Sequence, residues 1–217
     1  MKFFIDTANL IEIKNANDLG ILDGVTTNPS LMAKEGITGE KNILNHYKNI
    51  CKIVKGDVSA EVISTDYKGM VKEGEILANL NPQIVIKLPM IESGLKACKY
   101  FSEKGMKTNV TLVFSVGQAI LAAKAGATYV SPFIGRLDDI STDGLNLVSE
   151  IREIYDNYNF KTNILAASIR HSMHIINCAK IGADVITGPL SSIQSLLKHP
   201  LTDSGLEKFL EDYKKSN

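Results

Sequence analysis

An excess of charge of either sign is missing from this chain: 24 basic and 24 acidic side chains cancel to a formal net charge of zero over 217 residues, with histidine counted neutral. Bulk electrostatics therefore single out neither nucleic acid nor a membrane surface as a partner. Long apolar runs are missing too. The opening MKFFID reaches Asp6 too soon for a signal-peptide core, and no stretch near ~18 uncharged apolar residues follows. Cysteine is scarce. Cys51, Cys98 and Cys178 stand apart without CxxC spacing, which excludes a disulfide framework and a structural zinc site and leaves them as core fillers. The chain also lacks low-complexity tracts, a Pro- or Ser-rich linker, and the GxGxxG turn of a dinucleotide-binding doubly wound sheet. The expectation is a cytoplasmic protein of one domain over residues 1–217, whose 44% hydrophobic and 22% charged content is close to the globular average.

What is present is a rhythm of short β-type runs separated by helical spacing. The runs are FFID (3–6), LDGVTT (22–27), DVSAEVI (57–63), QIVIKLP (83–89), TNVTLVF (108–114), ATYVSPF (127–133), TNILAAS (162–168) and ADVITG (183–188). Helices are predicted over 66–80, opened by Thr65 or Asp66, and over 92–104, 117–127 and 141–157. The third of these follows Ser115 as N-cap and meets Gly126 near its end. Eight such units in 217 residues make about 27 residues each, enough for a compact α/β fold of the (β/α)8 or TIM-barrel kind. The final segment, 201–217, aligns Leu206, Phe209, Leu210 and Tyr213 in one helical stripe and is surplus to the barrel. A neighbouring subunit is its expected cover.

Barrel enzymes carry their catalytic groups at the C-terminal ends of the strands. Here those positions are polar: Asp6, Thr26 with Asn28, Glu61, Lys87, Thr111, Ser131, Ser168 and Thr187. Alternation puts Val85 on one face with Lys87, Ser59 with Glu61, and Asn109 with Thr111, so inward faces would gather these groups at the barrel mouth. Lys87 is the most informative, because it interrupts IVIKLPM in a strand whose two faces should both be covered. Burial of a lysine disfavours the ammonium, and the neutral amine is the form that attacks a ketone to make a Schiff base. The competing role is a strand-end lysine that snorkels to water.

Each neighbour also has two readings. Asp6 either shuttles a proton in carbon–carbon cleavage or caps the next helix beside Thr7. Glu61 either activates a water with Thr111 or only pairs with Lys87. Asn28, just before Pro29, either binds substrate hydroxyls or caps a helix. Arg136 in SPFIGRLDD and Arg170 in AASIRHS follow late strands, where barrels often hold phosphate. Arg136 could instead pair with Asp138 or Asp139, and Ser168 could cap a helix. Histidines 46, 171, 174 and 199 lie away from inner strand ends, which disfavours metal chemistry. His171 and His174 share a helical face without a carboxylate or cysteine ligand nearby and read as a solvated helix start.

Together DTAN with Asp6, GVTTNPSL with Asn28, SAEV with Glu61, VIKLPM with Lys87, TNVTLVFS with Thr111, SPFIGR and AASIRH resemble the transaldolase family over essentially the whole chain. The likeness is to its short subfamily, which also contains the fructose-6-phosphate aldolases. It implies a (β/α)8 barrel, a Schiff-base lysine at Lys87, and transfer of a dihydroxyacetone unit from sedoheptulose 7-phosphate to glyceraldehyde 3-phosphate. The products would be erythrose 4-phosphate and fructose 6-phosphate, as in the pentose phosphate pathway. By the same likeness Asp6 is the acid/base, Glu61 and Thr111 hold the catalytic water, Asn28 and Ser131 bind dihydroxyacetone hydroxyls, and Arg136, Ser168 and Arg170 bind phosphate. No cofactor or metal is called for. The partners implied are sugar phosphates and further copies of the chain, as a pentamer or decamer. The aldolases tend to carry glutamine and tyrosine where this chain has Glu61 and Phe133, which favours the transferase. An aldolase that releases free dihydroxyacetone and a non-catalytic sugar-phosphate-binding barrel are the alternatives.

Overall fold

β-Branched and aromatic runs between turn-forming residues fold into eight parallel strands that close on themselves, in a computed structural model describing residues 1–216. They are β1 (Lys2–Asp6), β2 (Gly24–Thr26), β3 (Asp57–Glu61), β4 (Ile84–Pro89), β5 (Thr108–Val113), β6 (Tyr129–Pro132), β7 (Asn163–Ala166) and β8 (Val185–Gly188). Each pairs with the next, and β8 returns to β1, with Thr187 opposite Phe4. The (β/α)8 expectation holds, and all eight runs become strands; the first gains Lys2 at its start and the other seven are trimmed, LDGVTT, for instance, to Gly24–Thr26.

Around the barrel run α1 (Leu10–Asp18), α2 (Pro29–Lys34), α3 (Glu40–Ile53), α4 (Tyr67–Ala78), α5 (Glu92–Glu103) and α6 (Val116–Lys124). They are followed by α7 (Ile134–Asp138), α8 (Gly144–Asn157), α9 (Ser172–Ile181), α10 (Leu190–Gln194) and α11 (Pro200–Ser216). Caps set several starts. Asp66 opens α4 by accepting from the Gly69 N–H, and Ser115 opens α6 by accepting from Gln118. α8 begins three residues later than expected because the Asp143 carboxylate takes the Leu145 and Asn146 N–H groups.

Two apolar layers hold the frame. The outer one, between strands and helices, includes Met70, Ile86, Leu88, Phe101, Ile151 and Tyr155. The inner one is a plug of Phe4, Val85, Tyr129, Leu165 and Val185 inside the barrel. A buried phenylalanine contributes about 2 to 3 kcal/mol, and Phe4 makes room for itself at a neighbour's expense: a Cβ on Gly24 would lie 2.5 Å from its ring. Below the plug the Tyr129 hydroxyl donates to Asp57, which also pairs with Lys107 at 2.8 Å. The N-terminal end of the barrel is thus closed, and the open end is the one that carries the polar residues.

α11 differs from the other long helices in having no buried residue. Leu201, Leu206, Phe209, Leu210 and Tyr213 are all more than half exposed. Asn217, the last residue of the expected helix, lies outside the described residues. Among the described residues no helix is long and apolar enough to cross a membrane.

Candidate active site

Strand alternation delivers the polar set to one cavity of about 500 Å³ at the C-terminal mouth. Asp6, Asn28, Glu61, Lys87, Thr111, Ser131, Phe133, Arg136, Ser168 and Arg170 all line it, together with Thr26 and Thr187. The sequence order of the strands becomes angular order around the barrel, which is why residues so distant in the chain meet.

Lys87 does not reach bulk water. It is 6% exposed, its Nζ lies 3.1 Å from Oε2 of Glu61, and it donates to the Thr27 carbonyl at 3.1 Å. An ammonium has three N–H donors, so two are committed to protein and one is available to the cavity. Glu61 is fixed from the outside as well, because its backbone N–H donates to the Tyr47 hydroxyl at 3.3 Å. Burial pushes the Tyr47 phenol well above its ordinary value, so it stays a neutral hydroxyl.

Asp6 caps nothing. Asn9 is the N-cap of α1, and Oδ1 of Asp6 instead accepts from the Thr26 hydroxyl at 2.7 Å. Thr26 in turn is 2.7 Å from the Thr187 hydroxyl. Because a carboxylate only accepts, Thr26 must donate to Asp6 and Thr187 to Thr26, a directed chain that orients the acid. Asn28 does act as a cap: its Oδ1 accepts from the Leu31 N–H at 2.9 Å, with Pro29 at the first helical position. That bond uses the amide oxygen, and Asn28 also lines the cavity.

β5 holds a feature the sequence does not announce. Between Val110↔Val130 and Val113↔Pro132, two residues, Thr111 and Leu112, stand against the single Ser131, and Leu112 takes a φ of 62°. This is a bulge with a leucine in the left-handed region, a strained position of the kind that gathers at functional sites. It keeps Val113 in the outer layer with Val110 while Thr111 faces the cavity. The Thr111 hydroxyl oxygen is buried and has no protein partner, so a water or a substrate group can complete it. Beneath it Asn109, fully buried, donates to Ser59 at 3.2 Å and accepts from Ser131 at 2.8 Å. The sequence hinted at Asn109 only as a polar residue on the inward face.

The far wall is basic. Ser168 sits at φ 59°, and its carbonyl accepts from the Gly135 N–H, while the Ala167 carbonyl accepts from Ile134. Arg136 pairs with neither Asp138 nor Asp139; its guanidinium lies over the Phe133 ring, 4.9 Å from the centroid, and Phe133 in turn meets Phe114 edge-on. It is Arg170 that pairs with Asp139, at 2.7 Å on an exposed surface. Ser168 caps no helix, since α9 starts at Ser172 with His171 at its N-cap position. His174 corrects the sequence reading twice: it is buried, and the carboxylate of Asp138 lies 3.0 Å from its Nε2. Among the described residues no group of three or more His, Cys, Asp or Glu could hold a metal ion.

The arrangement can do amine chemistry on a carbonyl compound, with the Glu61 carboxylate beside the amine, a second carboxylate, Asp6, lining the same cavity, and two arginines along its wall. Comparison with known proteins agrees with it. The sequence pattern described as Transaldolase/Fructose-6-phosphate aldolase matches residues 3–217. A probable transaldolase of Flavobacterium psychrophilum is 73% identical over 217 residues, covering all of both chains. Probable transaldolases of Cytophaga hutchinsonii and Bacteroides thetaiotaomicron are each 70% identical over the same full lengths.

Proposed function

We propose, from the premise that the chain belongs to the transaldolase/fructose-6-phosphate aldolase family, that it moves a dihydroxyacetone unit from sedoheptulose 7-phosphate to glyceraldehyde 3-phosphate. The observation that carries this reading is Lys87, an almost fully buried amine 3.1 Å from a carboxylate and facing a polar cavity.

In this reading the Lys87 ammonium gives a proton to Glu61, and the free amine attacks the keto carbon of the donor. The carbinolamine loses its hydroxyl as water, with Glu61 supplying the proton and Thr111 holding the departing oxygen, and an iminium remains. Asp6 takes the proton of the fourth carbon's hydroxyl. The bond between the third and fourth carbons breaks, its electron pair moves into the iminium to give an enamine, and erythrose 4-phosphate leaves. The enamine carbon then attacks the aldehyde of glyceraldehyde 3-phosphate, and Asp6 returns its proton to the new alkoxide. Water readded to the iminium frees fructose 6-phosphate and Lys87. Asn28 and Ser131 hold the dihydroxyacetone hydroxyls, while Ser168, Arg136 and Arg170 meet the phosphate. This chemistry belongs to the pentose phosphate pathway and to the cytoplasm.

Borohydride reduction in the presence of fructose 6-phosphate tests the proposal. The expected result is a covalent adduct on the peptide that contains Lys87; an adduct elsewhere, or full turnover by Lys87→Met, removes it. Turnover should also depend on an acceptor aldose. The same reading includes self-association into a pentamer or decamer, supported by the exposed apolar stripe on α11. Truncation before Thr202 should reduce the particle size, and an unchanged size removes that part.

A further inference from the structure

One buried histidine joins the two segments that carry the guanidinium groups of the cavity rim. His174, in the first turn of α9, is 5% exposed. Its Nδ1 accepts the backbone N–H of Arg170 at 3.3 Å, and its Nε2 lies 3.0 Å from Oδ2 of Asp138 in α7, the helix that contains Arg136. The other oxygen of Asp138 accepts the Gly144 N–H at 3.1 Å, so this carboxylate is anchored on both sides. A backbone N–H can only donate. Nδ1 is therefore unprotonated, and the single proton of the neutral ring sits on Nε2 facing Asp138.

We infer that His174, as the neutral Nε2–H tautomer, is a positioning residue for anion binding: it ties the Arg170 segment to α7 and so sets how Arg170 and Arg136 face a phosphate. The inference deepens the phosphate reading above and rests on it. Without this tie the rim would depend on the Ile134 and Gly135 backbone contacts and on the exposed pair of Arg170 with Asp139, which water screens.

The tie also responds to acid. The charged or titratable groups facing the ring are Asp138 from α7, and Arg170 and His171 from the segment before α9; the His171 ring centroid is 3.9 Å away. α8 meets Asp138 through the Gly144 N–H, and α10 reaches the Arg170 carbonyl through the Ser192 hydroxyl. Burial, then the neighbouring His171, outweigh the favourable Asp138 and hold the ring's pKa below the ordinary histidine value. At neutral pH the tie is intact. A second proton on Nδ1 would set two N–H groups against each other and release Arg170.

The test is inorganic phosphate titrated into the full chain, followed by calorimetry and as inhibition against fructose 6-phosphate, from about pH 8 to about pH 5. His174→Asn keeps an acceptor where Nδ1 stood, and His174→Gln keeps the donor to Asp138 alone. Each variant cuts one of the two bonds of the tie, so both should bind phosphate about fivefold more weakly than the native chain at pH 8, the weight of one hydrogen bond, with KM rising by more than kcat falls. In acid the native chain should drift towards the weaker affinity of the Gln variant, while phosphate's own titration is common to all. Nitrogen-15 shifts of the native imidazole read the tautomer directly, so the test survives a variant that does not fold. The opposite tautomer, or native affinity in either the Asn or the Gln variant, overturns the inference. Arg170→Ala separates the two layers of argument. If it weakens phosphate binding while His174→Gln does not, the His174 role alone falls; if it leaves binding intact, the phosphate reading falls and this role with it.

Discussion

Glu61 and Lys87 are register partners across β3 and β4, and their side chains close to 3.1 Å at the base of the cavity. The ladder thus presets a proton acceptor beside the amine before any substrate arrives. Glu61→Gln keeps the shape and removes the base. Transfer turnover should fall about 10²-fold, the low end for a lost acid/base group, while slow borohydride trapping at Lys87 persists. Steady-state rates and trapping measured together check this; loss of both in equal measure would mean that Glu61 only holds Lys87 in place.

Phe133 lies between the Phe114 ring and the Arg136 guanidinium at the cavity wall. A phenol hydroxyl there could hold a water near the iminium. Phe133→Tyr should raise free aldol cleavage relative to transfer, read as dihydroxyacetone released with and without an acceptor. An unchanged ratio counts against this account.

At Gly135 the backbone of α7 approaches the β7–α9 segment so closely that an added Cβ would lie 2.4 Å from both the Ser168 carbonyl and Arg170 Nε. Gly135→Ala must push the two apart. The KM for phosphorylated sugars should rise about tenfold or more, since two rim contacts lose alignment, with the borohydride adduct at Lys87 still forming at high substrate. A KM within experimental error of native would show that the rim tolerates the wider gap.

All three cysteines are buried and free. Burial pushes Cys178 up to about 12 and Cys51 up to about 11, and raises Cys98 as well. A thiol that stays protonated in the fold but ionises near 8.5 when unfolded favours the fold fully below that value, and the advantage drains away as pH rises towards the folded pKa. The melting temperature should therefore drop between about pH 8 and pH 11, and Cys178→Ala should flatten part of the drop. Thiol reagents at neutral pH should react only as fast as the chain opens.

The eight strands were legible because each is a β-branched run bounded by turn residues, and the site because polar residues at strand ends are costly in a barrel and stand out. What escaped was written in backbone. No side-chain pattern marks the Leu112 bulge, and the Thr27 carbonyl that accepts from Lys87 is invisible in any residue code. α2, α7 and α10 are too short for a helical period to emerge, so they read as connections. The arginine partners were exchanged for the same reason: Asp138 and Asp139 adjoin Arg136 in sequence, but a helical turn points them at His174 and Arg170.

The plug of Phe4, Val85, Tyr129, Leu165 and Val185 makes the reaction chamber a room with one door. On the proposed transfer reaction, an aldose leaving would pass through the opening that the next one needs, so the two sugars would take turns while the three-carbon fragment waited inside as a covalent guest. Such traffic shows in kinetics as parallel double-reciprocal lines and as each aldose crowding out the other at high concentration.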